Sequence, residues 1–233
     1  MSLPAAIGLI IPSSNRLTEP QFNRYVPAGV GVHVTRVRMT GKFRKPLSEL
    51  KQPLKEAAET LSDVKPGVII FHCTANSMER GTAHEKALIE IVEQASGCPT
   101  MTTAQAITRA FDHCGIKKLV LVSPYVQSTN QLEVNYLAEK GYKVLHEVGL
   151  GLETHAYAAV TPQEWRNVVK ENRRADADGY FLSCTNTRMI EAIEDLEKDF
   201  GKPVINSNQA TLWACLNELG IKHTNPRLGR LFS

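Results

Sequence analysis

The sequence predicts an α/β protein of two similar lobes, each a parallel four-stranded sheet flanked by helices, with a site in the cleft between them. Three observations lead there: short apolar runs that are continuous rather than alternating, helix-length amphipathic stretches between them, and an internal repeat. Continuous apolar strands are those covered on both faces, as parallel sheets are.

Taken in order, Ile7-Gly8-Leu9-Ile10-Ile11 has no charged region ahead of it and reads as a first buried strand rather than a secretion signal. Gly31–Arg38 is a second strand, followed by a helix over Leu47–Leu61. Gly67–His72 is the next strand and Glu79–Gln94 its helix, after which Cys98-Pro99 opens a further strand start. Thr103–His113 is helical, and then the order repeats: strand Lys118–Ser123, helix Ser128–Lys140, strand Lys143–Val148, helix Pro162–Arg173, strand Gly179–Ser183, helix Thr187–Phe200, strand Pro203–Asn206 and helix Gln209–Glu218. Gly115, Gly141 and Gly220 each follow a helix candidate, where a helix-stopping glycine belongs. Strand–helix alternation of this kind implies right-handed crossovers.

The repeat sharpens this. IGLIIPSSN at 7–15 resembles LVLVSPYVQ at 119–127, and GVIIFHCTANSM at 67–78 resembles GYFLSCTNTRM at 179–189. CPTMTTAQAITRAFDHCGIKK at 98–118 resembles KPVINSNQATLWACLNELGIKH at 202–223. Three matches in the same order indicate two lobes with one local plan. We expect residues 1–102 with 208–233 to form the first lobe and 103–207 the second.

Composition narrows the function classes. The chain has 27 basic and 24 acidic residues in 233, a net charge of +3 scattered along its length, which gives no footing for nucleic acid or a membrane surface. The most basic short stretch, Gly41-Lys42-Phe43-Arg44-Lys45, reads as a solvated loop. No apolar run approaches the roughly 20 residues of a membrane helix. Five cysteines, odd in number and without a CxxC pair, argue against a disulfide framework and a zinc site, and for a reducing cytoplasm. No nucleotide-binding glycine loop, HExxH or Gly-x-Ser-x-Gly occurs, so neither a cofactor nor a metal is expected.

Ligands of parallel sheets sit beyond the carboxyl ends of the strands. If the lobes face one another, Pro12-Ser13-Ser14-Asn15, Cys73-Thr74-Ala75-Asn76, Ser123-Pro124-Tyr125 and Cys184-Thr185-Asn186 surround a single site. Two thiols across a small cleft suit proton transfer or covalent chemistry at carbon. Both Cys73 and Cys184 are expected just before a helix, whose free N–H groups would lower the thiol pKa. A lone free cysteine is usually a small buried hydrophobe, and Cys98, Cys114 and Cys215 are read that way. Cys73 and Cys184 share a polar escort, which reverses the reading for them. His72, next to Cys73 on the strand, points to the opposite face and reads as structural. Tyr125 is a candidate carboxylate donor, Arg188 reads as solvated, and Glu79, Arg80, His84 and Glu85 read as an exposed helix face.

These residues resemble the aspartate/glutamate racemase superfamily, in which two pseudo-symmetric α/β lobes each offer a cysteine after a strand. Within it, the opening IGLIIPSSNRLTEPQF, the SPY segment, the LSC turn and the closing PVINSNQATLWACLNELGI are similar to the maleate cis–trans isomerases and their relative arylmalonate decarboxylase. The resemblance implies cofactor-independent chemistry on a small carboxylate, with maleate to fumarate isomerisation as the leading expectation. It makes Cys73 the thiolate that adds to the double bond and Cys184 its acid–base partner. Asn15 and Tyr125 would hold carboxylates, while Thr74, Ala75, Thr185 and Asn186 supply side-chain or backbone donors. An amino-acid or hydantoin-type racemase using both cysteines as acid and base is one alternative and an arylmalonate-type decarboxylase another, although arylmalonate decarboxylases keep only the second cysteine. An anion-binding protein without chemistry is the non-enzyme alternative. The resemblance also implies a homodimer or higher homo-oligomer. One departure stands out: maleate isomerases carry an asparagine where this chain reads Gly151-Leu152-Glu153-Thr154-His155.

Overall fold

The computed structural model describes residues 5–41 and 45–233; the basic stretch expected as a solvated loop falls largely at 42–44, outside them. Two four-stranded sheets form the molecule, each wholly parallel. The first has the order β2-β1-β3-β4, with β1 at Ala5–Pro12, β2 at Val30–Val37, β3 at Val68–Phe71 and β4 at Thr100–Thr102. The second repeats it as β6-β5-β7-β8, with β5 at Lys118–Ser123, β6 at Lys143–Gly149, β7 at Gly179–Leu182 and β8 at Val204–Asn206. The repeat in sequence is therefore a repeat in topology.

Helices cover the sheets: α1 (Thr18–Tyr25), α2 (Leu47–Ser62), α3 (Thr74–Met78), α4 (Gly81–Ser96), α5 (Thr103–His113), α6 (Gln127–Glu139), α7 (Pro162–Glu171), α8 (Ile193–Phe200) and α9 (Ser207–Glu218). Successive side chains of a strand face opposite ways, and the first sheet sorts its residues accordingly. Ile10, Ile69 and Phe71 pack against Leu50, Leu54, Leu61, Leu88 and Val92 of α2 and α4. Ile7, Leu9, Ile11, Val68 and Ile70 face inward, into a larger apolar cluster that also holds Leu119 to Val122, Phe181, Leu182 and Ile205 of the second sheet. One core thus runs through both lobes, with α5 and α9 packed against each other between them.

The matched glutamines of the repeat have a structural cause. Thr102 caps α5 by accepting from Gln105 N–H, while Gln105 Oε1 accepts from Thr102 N–H. Asn206 and Gln209 do the corresponding work at α9. Each is a capping box, which satisfies two N–H groups that the first helical turn leaves open.

Several expectations are corrected. The helix expected over Thr187–Phe200 starts only at Ile193, after a turn and a 3₁₀ segment at Met189–Ala192. The Thr187 hydroxyl donates to Cys184 O, and such local side-chain bonds compete with a helix start. The helix expected from Glu79 begins at Gly81, whose φ is +72° and whose Cα faces the Glu139 carboxylate too closely for a side chain. Of the expected exposed face, only Arg80 is exposed. Glu85 is buried, accepting from the Thr102 hydroxyl at 2.6 Å and paired with Lys140 at 3.1 Å. Helices α1 and α3 and a C-terminal 3₁₀ segment at Pro226–Phe232 were not expected. No helix among the described residues is long and apolar enough to cross a membrane.

Candidate active site

At the carboxyl ends of both sheets lies a cavity of about 200 Å³ lined from both lobes. Lobe one contributes Pro12, Ser14, Asn15, Thr40, Gly41, Cys73, Ala75, Asn76 and Glu79; lobe two contributes Tyr125, Thr129, Thr154, Tyr157, Cys184, Thr185 and Asn186. Strand ends explain the placement: Pro12 ends β1, Cys73 follows β3 by two residues, and Cys184 follows β7 by two. Of the residues singled out in the sequence, Asn15, Cys73, Ala75, Tyr125, Cys184, Thr185 and Asn186 all reach the cavity. Thr74 stands behind it, its hydroxyl donating to Ser207 Oγ at 2.9 Å. Arg188 lies outside, paired with Glu191 at 3.0 Å.

Both thiols are buried, Cys73 at 5% and Cys184 at 4% exposure. Burial pushes each up to about 12, against the lowering expected from helix N-termini. The reason is local. Helix α3 after Cys73 has five residues, and no helix directly follows Cys184. Single N–H groups partly offset the burial: Asn76 N–H donates toward Cys73, and Asn186 N–H donates to Cys184 Sγ at 3.3 Å. The Tyr125 phenol beside Cys184 adds a further stabilising contact for its thiolate. At pH 7 both groups therefore rest as protonated thiols.

Cys184 has a φ of +139°, a backbone conformation that suits glycine and strains other residues. Ser207 holds it there: its Oγ accepts from Cys184 N–H at 3.1 Å and from the Thr74 hydroxyl. One side chain thus joins the loops that carry both thiols. Asn15 adds a second tie, donating Nδ2 to Thr185 Oγ1 at 3.0 Å while its Oδ1 accepts from Leu17 and Thr18 N–H at the start of α1. Arg16 completes the set, its backbone N–H donating to Asn186 Oδ1 at 2.9 Å and its guanidinium to His155 O at 2.8 Å.

His72 lies fully buried under this seam. Asn208 donates its amide to Gln21 Oε1 and Thr185 O, so its carbonyl oxygen faces His72 and accepts from Nε2 at 2.8 Å. Nδ1 lies 2.9 Å from Thr103 Oγ1. Burial drives the pKa of the ring down to about 4 and keeps it neutral at pH 7. The structural reading of His72 agrees with this placement.

Two groups near the thiols escaped the sequence reading. Glu133, in α6 one turn after the cavity-lining Thr129, is completely buried beside Ser183, and neither carboxyl oxygen has a hydrogen-bond partner among the described residues. Burial pushes its pKa up to about 8, keeping it neutral at pH 7. A charged residue on a helix gave no signal of this in the sequence. Tyr157 lies in a run of turns after β6, where no periodicity marks an inward residue; its ring meets that of Tyr125 edge-on at 5.7 Å. The departure at 151–155 resolves simply. Glu153 and His155 are exposed, and Thr154 is the residue that lines the cavity.

Comparison with known proteins places this geometry. The maleate isomerase of Pseudomonas putida is 27% identical over 241 residues, covering 97% of this chain and 96% of that one. The crystal structure of the maleate isomerase Iso from Pseudomonas putida S16 superposes with a TM-score of 0.90 at 26% identity, over 98% of each chain. The maleate cis–trans isomerase of Nocardia farcinica, in a cysteine-to-serine mutant with a covalently bound succinylcysteine intermediate, shares the fold with a TM-score of 0.88 at 21% identity, over 98% of each chain. Residues 3–232 match the arylmalonate decarboxylase family. With nearly its whole length matched and both lobes in register, the chain belongs to the arylmalonate decarboxylase family, in the branch of the aspartate/glutamate racemase superfamily that includes the maleate isomerases.

Proposed function

We propose that this protein is a cofactor-independent isomerase of a small unsaturated dicarboxylate, converting maleate to fumarate. The observation that carries the reading is the pair of buried thiols, Cys73 and Cys184, opening from opposite lobes into one cavity whose other lining side chains are mostly hydroxyls and amides, with Pro12, Ala75 and Glu79 among them. At about 200 Å³ the cavity falls below the usual range of about 300–1,000 Å³ for ligand sites, which suits a four-carbon acid better than an aryl compound. The likeness to maleate isomerases over nearly the whole chain supports the same reading.

Both thiols are protonated at rest, so the reactive form is the minor one in which Cys73 has released its proton to solvent and Cys184 keeps its own. Cys73, as thiolate, adds to one alkene carbon, and the Cys184 thiol delivers its proton to the other. A sulfur–carbon bond and a carbon–hydrogen bond have formed, and the former double bond is single and turns. Cys184 then takes the proton back, the sulfur–carbon bond breaks, and the double bond re-forms in the trans geometry. The succinylcysteine held by the Nocardia relative is the species such an addition makes. Asn186 and Tyr125 are the donors we assign to the carboxylate nearer Cys184, with Thr185 and Ala75 contributing from the two loops. Asn15, committed to Thr185 and α1, orients this wall. The five cysteines are all free thiols, which fits the reducing cytoplasm in which we place the enzyme. A homodimer is the assembly we propose from the superfamily resemblance.

Incubating the protein with maleate and following fumarate by proton NMR tests the reading. Fumarate formation by the wild type and its loss in Cys73→Ser are expected. Exchange of an amino acid's α-hydrogen for deuterium without any fumarate would make the protein a racemase instead, and overturn the proposal.

A further inference from the structure

One wall of the cavity continues inward as helix α6. Thr129 lines the cavity, and Glu133 lies one turn further along the same face. A hydrogen bond fixes where that face points: Asn130 Oδ1 accepts from Ser123 Oγ at 2.5 Å, at the end of β5. Leu182 of β7 pairs in register with Val122 of β5, and Ser183 N–H donates to Val122 O, so Ser183 stands level with Ser123. Residues level with each other on adjacent parallel strands project to the same face of a sheet. Ser183 therefore turns its hydroxyl toward α6, where Glu133, three residues past Asn130, faces it. Ser183 immediately precedes Cys184, and α3, which follows Cys73, packs against α6 from the other lobe. Glu133 thus stands behind the loops of both thiols.

Glu133 and Ser183 are fully buried, and neither carboxyl oxygen nor Ser183 Oγ has a hydrogen-bond partner among the described residues. A carboxylate in that position lacks both a donor and a cation, which is the costly way to bury a charge. The elements packed on α6 supply no compensation. β6 brings Glu147, which accepts from Asn130 Nδ2 at 2.6 Å, while its Lys143 and His146 are exposed. α3 has no titratable side chain. α4 brings Glu85, paired with Lys140 at 3.1 Å, and half-buried His84, whose pKa burial lowers; its Lys86 is exposed. Between α3 and α4, Glu79 pairs with Arg80 at 3.5 Å. On the chain of α6 itself, Glu139 accepts from Thr82 N–H at 3.1 Å and Tyr136 is a buried phenol. The other titratable neighbours are Cys73, Cys184 and Tyr125. Burial first, and the Glu133 carboxyl among lesser influences, raises the pKa of each of these three. No lining residue of the cavity is a lysine, arginine or histidine. Burial holds Glu133 at about 8, so at pH 7 it is the neutral acid.

The geometry points to Glu133 as a positioning residue that keeps the space behind Cys184 uncharged. As the neutral acid it tolerates a thiolate and a dianionic substrate in the cleft. On losing its proton to solvent it sets a buried carboxylate against both. The assignment deepens the isomerase reading and rests on it for the substrate, while the effect on the thiol is read without turnover. The experiment compares wild type with Glu133→Gln and Glu133→Met, neutral side chains of similar size, at pH 6.5 and 9.5; either variant suffices if the other fails to fold. Alkylation of Cys184 by iodoacetamide is followed by mass spectrometry, and kcat/KM is measured for maleate. Between the two pH values the ratio of variant to wild type should grow about fivefold or more in both rates. A purely structural role moves labelling the other way, because a wild type loosened at pH 9.5 exposes its thiols and reacts faster than the variants. A labelling ratio that stays constant or falls overturns the assignment, as does a constant kcat/KM ratio while fumarate forms. If the labelling ratio grows but no fumarate forms at either pH, the isomerase reading fails and Glu133 keeps its role toward Cys184.

Discussion

Asn15 donates its side-chain amide to Thr185 Oγ1 at 3.0 Å, although 170 residues separate them in the chain. Lobe one supplies the donor and lobe two the acceptor, one residue beyond Cys184. The same asparagine starts α1 by accepting from Leu17 and Thr18 N–H. Asn15→Ala should therefore cost stability and activity together. Losing a buried bond and a capping acceptor costs about 1–3 kcal/mol, seen as a lower melting temperature, and kcat/KM for maleate should drop more than about tenfold. Asn15→Asp keeps the acceptor for α1 but loses the donor to Thr185. It should recover melting temperature more than activity; the opposite order would mean that the cross-lobe bond does not govern the site.

The thiol pair should be slow toward external reagents. With both groups pushed up to about 12 by burial, iodoacetamide at pH 7.5 should alkylate Cys73 and Cys184 more slowly than free cysteine, as mass spectrometry of the labelled peptides would show. Cys73→Ser and Cys184→Ser should each lower fumarate formation by about a thousandfold or more while leaving the melting temperature nearly unchanged. Rapid labelling of either thiol would contradict the burial argument.

The strained backbone at Cys184 gives a stability ordering. At φ +139° glycine is at ease and alanine is not. Cys184→Gly should melt no lower than Cys184→Ala, even though glycine elsewhere costs about 0.5–1 kcal/mol. Ser207→Ala removes the acceptor for the buried Cys184 N–H and should cost about 1–3 kcal/mol. A Cys184→Gly protein that melts well below Cys184→Ala would remove the case for strain.

Two fully buried titrating groups pull the pH dependence of stability in opposite directions. His72, lowered to about 4, is neutral in the fold but protonated below about 6.5 when unfolded, so stability is lost as pH falls from 6.5 toward 4. Glu133 is raised to about 8, so the unfolded chain ionises first and stability is lost as pH rises from 4.5 toward 8. Between 4.5 and 6.5 their two slopes oppose; above 6.5 only Glu133 of the pair acts, and its contribution falls by about 2 kcal/mol to pH 8. Urea titrations at pH 6.5 and 8 should show that loss in wild type and not in Glu133→Gln. A loss of equal size in the variant would exclude Glu133 as its source.

Much of this was readable from the residues, for identifiable reasons. Strands buried on both faces leave unbroken apolar runs, which is why Lys118–Ser123 and its neighbours fall within a residue or two of their expected ends. The paired cysteines were visible because the two lobes keep one plan. The glutamines at 105 and 209 matched for a different reason, since both close capping boxes. Helix α1 was hidden because TEPQFNRY carries a proline and buries little apolar surface beyond Phe22 and Tyr25. Tyr157 was hidden because turns have no period, and Glu133 and Glu85 because a carboxylate on a helix is usually solvated. The upward thiol shift was missed since a strand followed by polar residues does not reveal how short the next helix is.

The unbroken core has a bearing on how substrate comes and goes. Because Ile7, Leu9 and Ile11 pack in the same cluster as Leu121 and Phe181, swinging the lobes apart would expose the centre of the protein to water. Traffic must instead pass through the rim. There the segment at 150–161 borders the cavity and, among the described residues, is joined to the first lobe by the side-chain hydrogen bond from Arg16 to His155 O, so entry turns on that contact rather than on the lobes parting.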